Sequence, residues 1–312
     1  MAVQVLHTPE ERFTGVADWP AEPRRVEVPS GLDGVGDLEL GVVDQGPDGA
    51  ETVVLLHGEP TWSVLYRDVV AGLVDRGLRA VAIDLVGMGR SDKPADPSVF
   101  TYRRHLGWLR DAVEALGVRD ATLVGQDWGG LLGLRLVAED VEEAAGRWRR
   151  LVTTNTFLPT GDHPMPDVWH RFREVVRAAD PLDVGRIVEA GCARGLSDEV
   201  RAAYDAPFPS EAHKAAVRTF PDLVPTTPDD PESEPNRHAW RVLGEATDLP
   251  VLTVSGSADP ITAGAEEAIQ RLLPGAAGQD HRTIDGAGHF IQEDAGAELA
   301  EAIADFVEAN PV

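Results

Sequence analysis

Val124-Gly125-Gln126-Asp127-Trp128-Gly129-Gly130 decides the reading of this chain. An apolar, β-branched run ends here, a glycine-flanked turn follows, and a helical pattern begins. That is the strand–turn–helix geometry of a nucleophile elbow, usually written G-x-S-x-G. The turn needs small neighbours, and Gly125 and Gly129 supply them. The central residue is Asp127 where serine is usual. A carboxylate can attack an sp³ carbon without a base and leave a covalent ester. The plainer alternative is a helix N-cap, a position that aspartate favours.

Outward from the elbow, short apolar runs alternate with helical stretches. Val53 to Leu56, Ala80 to Ile83, Thr122 to Val124, Leu151 to Thr154, Val251 to Val254 and His281 to Ile284 read as buried parallel strands. Glu27 to Val28 and Leu38 to Val43 read as an antiparallel edge pair. Helices are expected over Tyr102 to Leu116, Gly130 to Glu139, Ala263 to Leu273 and Leu299 to Val307. Such alternation implies a mostly parallel sheet covered on both faces. It stops between about Pro159 and Pro235. Four helical patterns follow one another there: Val168 to Ala178, Asp183 to Ala193, Ser197 to Asp205 and Ser210 to Thr219. A return carrying Pro221, Pro225, Pro228, Pro231 and Pro235 reads as extended. We expect a core of residues 1–158 and 228–312 and an inserted helical cap of 159–227. Such a cap would cover the strand ends where open α/β sheets bind ligands.

Composition narrows the function. The chain has 312 residues, of which 53 are acidic and 28 basic, for a formal net charge of −25. Such a charge repels phosphate backbones and anionic bilayers, so neither nucleic acid nor membrane is expected as a partner. A neutral or cationic small molecule suits it better. Cys192 is the only cysteine, which rules out an intrachain disulfide and a multi-cysteine metal site. The opening residues lack the charged-then-apolar pattern of a signal peptide, and a cytoplasmic location is expected.

Three more segments carry chemistry. Leu55-Leu56-His57-Gly58-Glu59-Pro60 follows a strand, where a loop can offer a backbone N–H to an oxyanion hole. Pro60 cannot donate, so Glu59 is the expected donor, with the N–H of Trp128 as its partner. Gly286-Ala287-Gly288-His289-Phe290 places a histidine among small residues late in the chain, and its near-neutral pKa suits a general base. Val254-Ser255-Gly256-Ser257-Ala258-Asp259-Pro260 ends a strand with an aspartate able to orient that imidazole, although a turn aspartate before proline is common. Asp127, Asp259 and His289 thus occur in the chain order nucleophile, acid, histidine.

With these motifs assembled, the chain resembles a haloalkane dehalogenase of the α/β-hydrolase superfamily. The resemblance covers most of its length. His7-Thr8-Pro9-Glu10-Glu11-Arg12-Phe13 is similar to the family's opening segment. His57 to Arg67 differs from the common family form mainly at Val64, where tyrosine is usual. Asp84 to Pro94 is shared with epoxide hydrolases. Ala203-Tyr204-Asp205-Ala206-Pro207-Phe208-Pro209 and Thr219-Phe220-Pro221 are specific to the dehalogenases.

The resemblance implies an eight-stranded, mostly parallel sheet with an inserted all-helical cap. It implies Asp127 as nucleophile, His289 as base, Asp259 as its acid, and the N–H groups of Glu59 and Trp128 as oxyanion donors. Halide is to be held by indole N–H groups. One family branch pairs the tryptophan after the nucleophile with an asparagine after the His-Gly pair, and its acid follows the sixth strand. Here that asparagine position is Glu59, which cannot donate when ionised, and no carboxylate occurs from Leu151 to Thr160. The other branch uses a cap tryptophan and a later acid, which Trp169 and Asp259 supply. Phe172 is expected to line the pocket; Trp62, Trp108, Trp148 and Trp240 are expected to pack. The substrate implied is a small neutral haloalkane with water; no metal or organic cofactor is implied.

Epoxide hydrolases need two cap tyrosines, and of Tyr66, Tyr102 and Tyr204 only one lies in the cap. Fluoroacetate dehalogenases usually carry arginine where this chain has Trp128. A serine esterase would need serine at Asp127. A non-catalytic receptor of the same fold would have no reason to keep the triad.

Overall fold

The computed structural model describes residues 3–16, 19 and 24–312. In chain order the strands are β1 (Val5–Leu6), β2 (Arg24–Pro29), β3 (Asp37–Gln45), β4 (Thr52–Leu56), β5 (Arg79–Ile83), β6 (Lys93–Pro94), β7 (Ala121–Gln126), β8 (Trp148–Thr154), β9 (Val251–Gly256) and β10 (Arg282–Ile284). The helices are α1 (Arg67–Asp75), α2 (Tyr102–Ala115), α3 (Trp128–Glu143), α4 (Asp167–Ala178), α5 (Val184–Gly191), α6 (Asp198–Asp205), α7 (Ala215–Thr219), α8 (Ser233–Glu245), α9 (Ala265–Leu272) and α10 (Ile291–Ala309).

Eight strands form one sheet in the order β10-β9-β8-β7-β4-β5-β3-β2. The pairs from β10 through β5 are parallel, whereas β3 runs antiparallel to both β5 and β2. This is the α/β hydrolase fold. The central strands are buried on both faces because helices cover both, which is why Val53 to Leu56 and Leu123 to Val124 read as unbroken apolar runs.

The chain leaves β4 for β5 on one side and returns to β7 on the other, so the strand order reverses between β4 and β7. Ligands bind in the crevice at such a switch point. Leu56 pairs with Gly125 across it, so the loops bearing Glu59 and Asp127 leave the sheet side by side. On the far side of β7, Thr154 aligns with Gln126 and with Val254, so β8 and β9 end at the same level.

Between β8 and α8 lie α4 to α7 and short 3₁₀ turns, with no strand among the described residues. The proline-rich return differs from its expected extended form at both ends. Pro221 sits inside a 3₁₀ turn, Phe220–Leu223. Pro235 is the third residue of α8, in the first helical turn, where no N–H is required.

Candidate active site

Asp127 is strained in the way a nucleophile elbow requires: its φ is 48° and ψ −124°. Its side chain makes no capping bond to α3, so the capping alternative fails. The turn is tight enough that a Cβ on Gly129 would fall 2.0 Å from the Leu56 carbonyl oxygen. Only glycine lets α3 start this close to β4.

The expected partners converge on the Asp127 carboxylate. The Glu59 N–H donates to its Oδ1 at 2.9 Å. His289 Nε2 lies 3.6 Å from its Oδ2. On the other side of the imidazole, Nδ1 is 3.1 Å from Asp259 Oδ2. Asp259 also accepts from the Ile261 N–H at 2.8 Å and from the Thr262 hydroxyl. Burial pushes the Asp259 carboxyl up, but His289 and these donors outweigh it and hold the group below its ordinary range. For His289, burial is the largest single influence and lowers its pKa. The Asp259 and Asp127 carboxylates together overcome it and raise the imidazole from 6.5 to about 10. His289 thus lies between two acidic side chains that both favour its protonated form. The Trp128 N–H makes no hydrogen bond to the Asp127 carboxylate in this arrangement, among the described residues.

Glu59 departs from one sequence premise. Its side chain is buried, with Oε1 unpartnered, and faces Asp127. Burial first, then repulsion by Asp127, drives its pKa well above the usual carboxylate range. Both influences favour its neutral form, which runs against the premise that it is ionised and unable to donate.

A cavity of about 1200 Å³ opens above this centre and is lined by Glu59, Asp127, Trp128, Trp169, Phe172 and His289. Asp259 stands behind the imidazole, outside the lining. The seven tryptophans sort by what their indole N–H does. Trp62, Trp108 and Trp240 donate to the carbonyls of Ala203, Ser30 and Leu158 at 2.9–3.1 Å. In Trp19 and Trp148 the nitrogen is buried without a partner among the described residues. Trp128 and Trp169 alone combine a cavity position with an N–H that has no protein acceptor among the described residues. Trp128 is braced by Tyr102 and Phe220, with ring centroids 5.2 and 4.8 Å away.

Sequence reasoning missed Asn155, the residue after β8. Its carbonyl accepts the Asp127 N–H at 3.1 Å. Its Nδ2 donates to the carbonyls of Gly288 and His289 at 2.8 and 2.9 Å. Its Oδ1 accepts the Gly256 N–H at 3.0 Å. One buried asparagine, through its backbone and its side chain, thus ties together the loops that carry Asp127, Asp259 and His289. It also missed Asp294, which accepts the Gly288 N–H at 2.7 Å and the Ala193 and Arg194 N–H groups at 2.8 Å.

The fold and this centre place the chain among the α/β hydrolases: the model of the alpha/beta hydrolase fold matches residues 51–296. Haloalkane dehalogenases from Psychrobacter cryohalolentis and Mycolicibacterium paratuberculosis are 42% and 43% identical to it, over 99% and 98% of this chain and 100% and 99% of theirs. A solved haloalkane dehalogenase from Paraglaciecola agarilytica superposes with a TM-score of 0.85 at 33% identity, covering 96% of this chain and 97% of that one. The chain belongs to the haloalkane dehalogenase family.

Proposed function

We propose that the protein hydrolyses haloalkanes to alcohol, halide and a proton through an alkyl ester on Asp127. One observation carries this reading. Asp127 sits in a strained elbow, a backbone N–H on one oxygen and an imidazole at the other, beneath the two indoles with free N–H groups. That is a nucleophile, a base and a donor pair for a leaving anion in one apolar cavity. An indole N–H only donates and does not titrate near pH 7, which suits a halide.

The Asp127 carboxylate displaces halide from carbon, forming the C–O bond as the C–X bond breaks, and the halide departs toward Trp128 and Trp169. Esterification removes the Asp127 charge, one of the influences that hold the proton on His289. The imidazole then yields that proton to solvent alongside the released halide. Now neutral, and oriented by Asp259, His289 takes a proton from water as the hydroxide adds to the ester carbonyl carbon. The Glu59 and Trp128 N–H groups hold the resulting oxyanion, a donor of this kind contributing about 10²–10³ in rate. Collapse expels the alkoxide, which takes the proton of the new carboxylic acid, and the resting imidazolium–carboxylate site is restored. A cytoplasmic location belongs to this reading, supported by the single cysteine. No helix among the described residues is long and apolar enough to cross a membrane.

The test is bromide release from 1-bromobutane by wild type beside Asp127→Asn, with mass spectrometry of His289→Phe after exposure to the same substrate. Wild type should release bromide and Asp127→Asn should release none. His289→Phe should gain one butyl group on Asp127. Reversible binding with no mass shift would favour a non-catalytic receptor instead.

A further inference from the structure

The reacting groups occupy only part of the cavity. Its volume of about 1200 Å³ exceeds the roughly 300–1,000 Å³ common for small-ligand sites. Beyond Asp127 the inner wall is apolar, with Leu131, Phe157, Met165, Ile187, Val224 and Ile261. The outer wall is one stripe of α4. Val168, Phe172 and Val175 recur at i, i+4 and i+7, so they share a face of the helix, and all three line the cavity. Val175 lines the cavity and is still 54% exposed, so the stripe runs from the interior out to solvent. Ala263, Gly264, Ala265 and Ala268 also line the cavity, and their small side chains take up little of it.

A water molecule's share of liquid volume is about 30 Å³, so a two-carbon halide fills little of this space. It would leave the apolar walls facing water and would not be held against the nucleophile. Each further methylene removes its own surface and the facing wall from water, worth about fourfold in binding. A charged tail fits poorly. Besides His289, the basic side chains on the lining are Arg171 and His163, both exposed, on a chain of net charge −25.

We infer that the cavity selects long-chain, uncharged haloalkanes over two-carbon ones, the alkyl tail lying along Val168, Phe172 and Val175 toward the opening. The inference rests on the dehalogenase reading above. Its test is kcat/KM for halide release from bromoethane, 1-bromobutane, 1-bromohexane and 1-bromooctane. The value should rise along the series, by about 30-fold or more from ethyl to octyl, within what burial per methylene allows. Val175→Trp is an exposed substitution that leaves the core intact, and it should cut the octyl-to-ethyl ratio about fivefold or more. Phe172→Ala should also lower that ratio, by removing apolar wall. A flat or falling series with halide release intact overturns the inference and leaves the dehalogenase reading standing. A rising series whose ratio neither variant changes overturns the path along α4. No halide release from any member would remove the dehalogenase reading, and the inference with it.

Discussion

The helices inserted between β8 and α8, expected as a cap, meet the rest of the fold along two edges that differ in kind. On the histidine side the contact is made by hydrogen bonds. The Gly191 carbonyl at the end of α5 accepts the His289 N–H at 2.8 Å. Asp294, in the first turn of α10, binds N–H groups of both the cap and the histidine loop. Beside them Arg67 pairs with Glu293 at 2.5 and 2.6 Å, and the Tyr204 hydroxyl donates to the same carboxylate. The Trp62 indole reaches the Ala203 carbonyl at 3.1 Å. On the Trp169 side, α4 makes no hydrogen bond to the rest of the fold outside residues 159–227, among the described residues. Its side chains pair within the cap, with Arg173 and Arg177 on Asp222, while Arg218 donates to the Val176 carbonyl. Trp169 and Phe172 therefore ride on a helix that touches the core only through apolar packing and the cavity. The imidazole is fixed by hydrogen bonds, which set position closely. The Trp169 indole is fixed by packing, which tolerates small displacements.

Three measurements would break or sharpen this contrast. The largest effect is expected on the clamped edge. Asp294→Ala leaves three N–H groups, one buried and two partly buried, without their charged acceptor, each such bond being worth about 1.5–3 kcal/mol, with incomplete additivity. Urea titration should show a loss of about 3–5 kcal/mol, and halide release should slow at least tenfold. A loss under about 1 kcal/mol would mean that Gly191 and Glu293 hold that edge alone.

The second concerns pH. His289 is raised from 6.5 to about 10 in the folded chain. A group raised on folding stabilises fully below its unfolded pKa, and that contribution fades as pH rises through the folded value. Stability should therefore fall between about pH 6.5 and 10. Asp127→Asn removes one of the two carboxylates facing the imidazole, so its loss across that window should be smaller. Equal losses in the two proteins would assign the retained proton to Asp259 alone.

The smallest stability effect is expected on the packed edge. Trp169→Phe keeps most of the volume and should cost less than about 1.5 kcal/mol. It removes one donor, so bromide affinity, read from tryptophan fluorescence quenching, should weaken about tenfold. An unchanged affinity would mean that the second donor is another cavity side chain.

Much of this was legible in the sequence because it follows from local chemistry. The glycines around Asp127 announce the elbow, and the runs at Val53, Leu123 and Val251 announce strands buried on both faces. The four cap helices lie near their expected places because their amphipathic spacing is local. Helix α1 escaped notice because Arg67–Asp75 is short, with only Val69, Val70 and Leu73 on its buried face. Helix α8 was hidden by Pro231 and Pro235, which read as breakers and in fact precede and open a helix. Asn155 left no signature because it acts on the backbone of Gly256, Gly288 and His289, groups that every residue carries. The upward shift of the Glu59 carboxyl was out of reach because burial sets it, and burial is a property of the assembled fold.

Gly191 has a consequence for recombining such proteins. A Cβ at that position would fall 2.6 Å from the Phe290 ring, so the end of α5 and the histidine loop are shaped as one joint. A cap taken from a relative will not seat unless its counterparts of 191–194 and 288–294 travel with it. The functional cassette is therefore discontinuous: the cap and the loop bearing the base are exchanged together or not at all, although about a hundred residues of chain separate them.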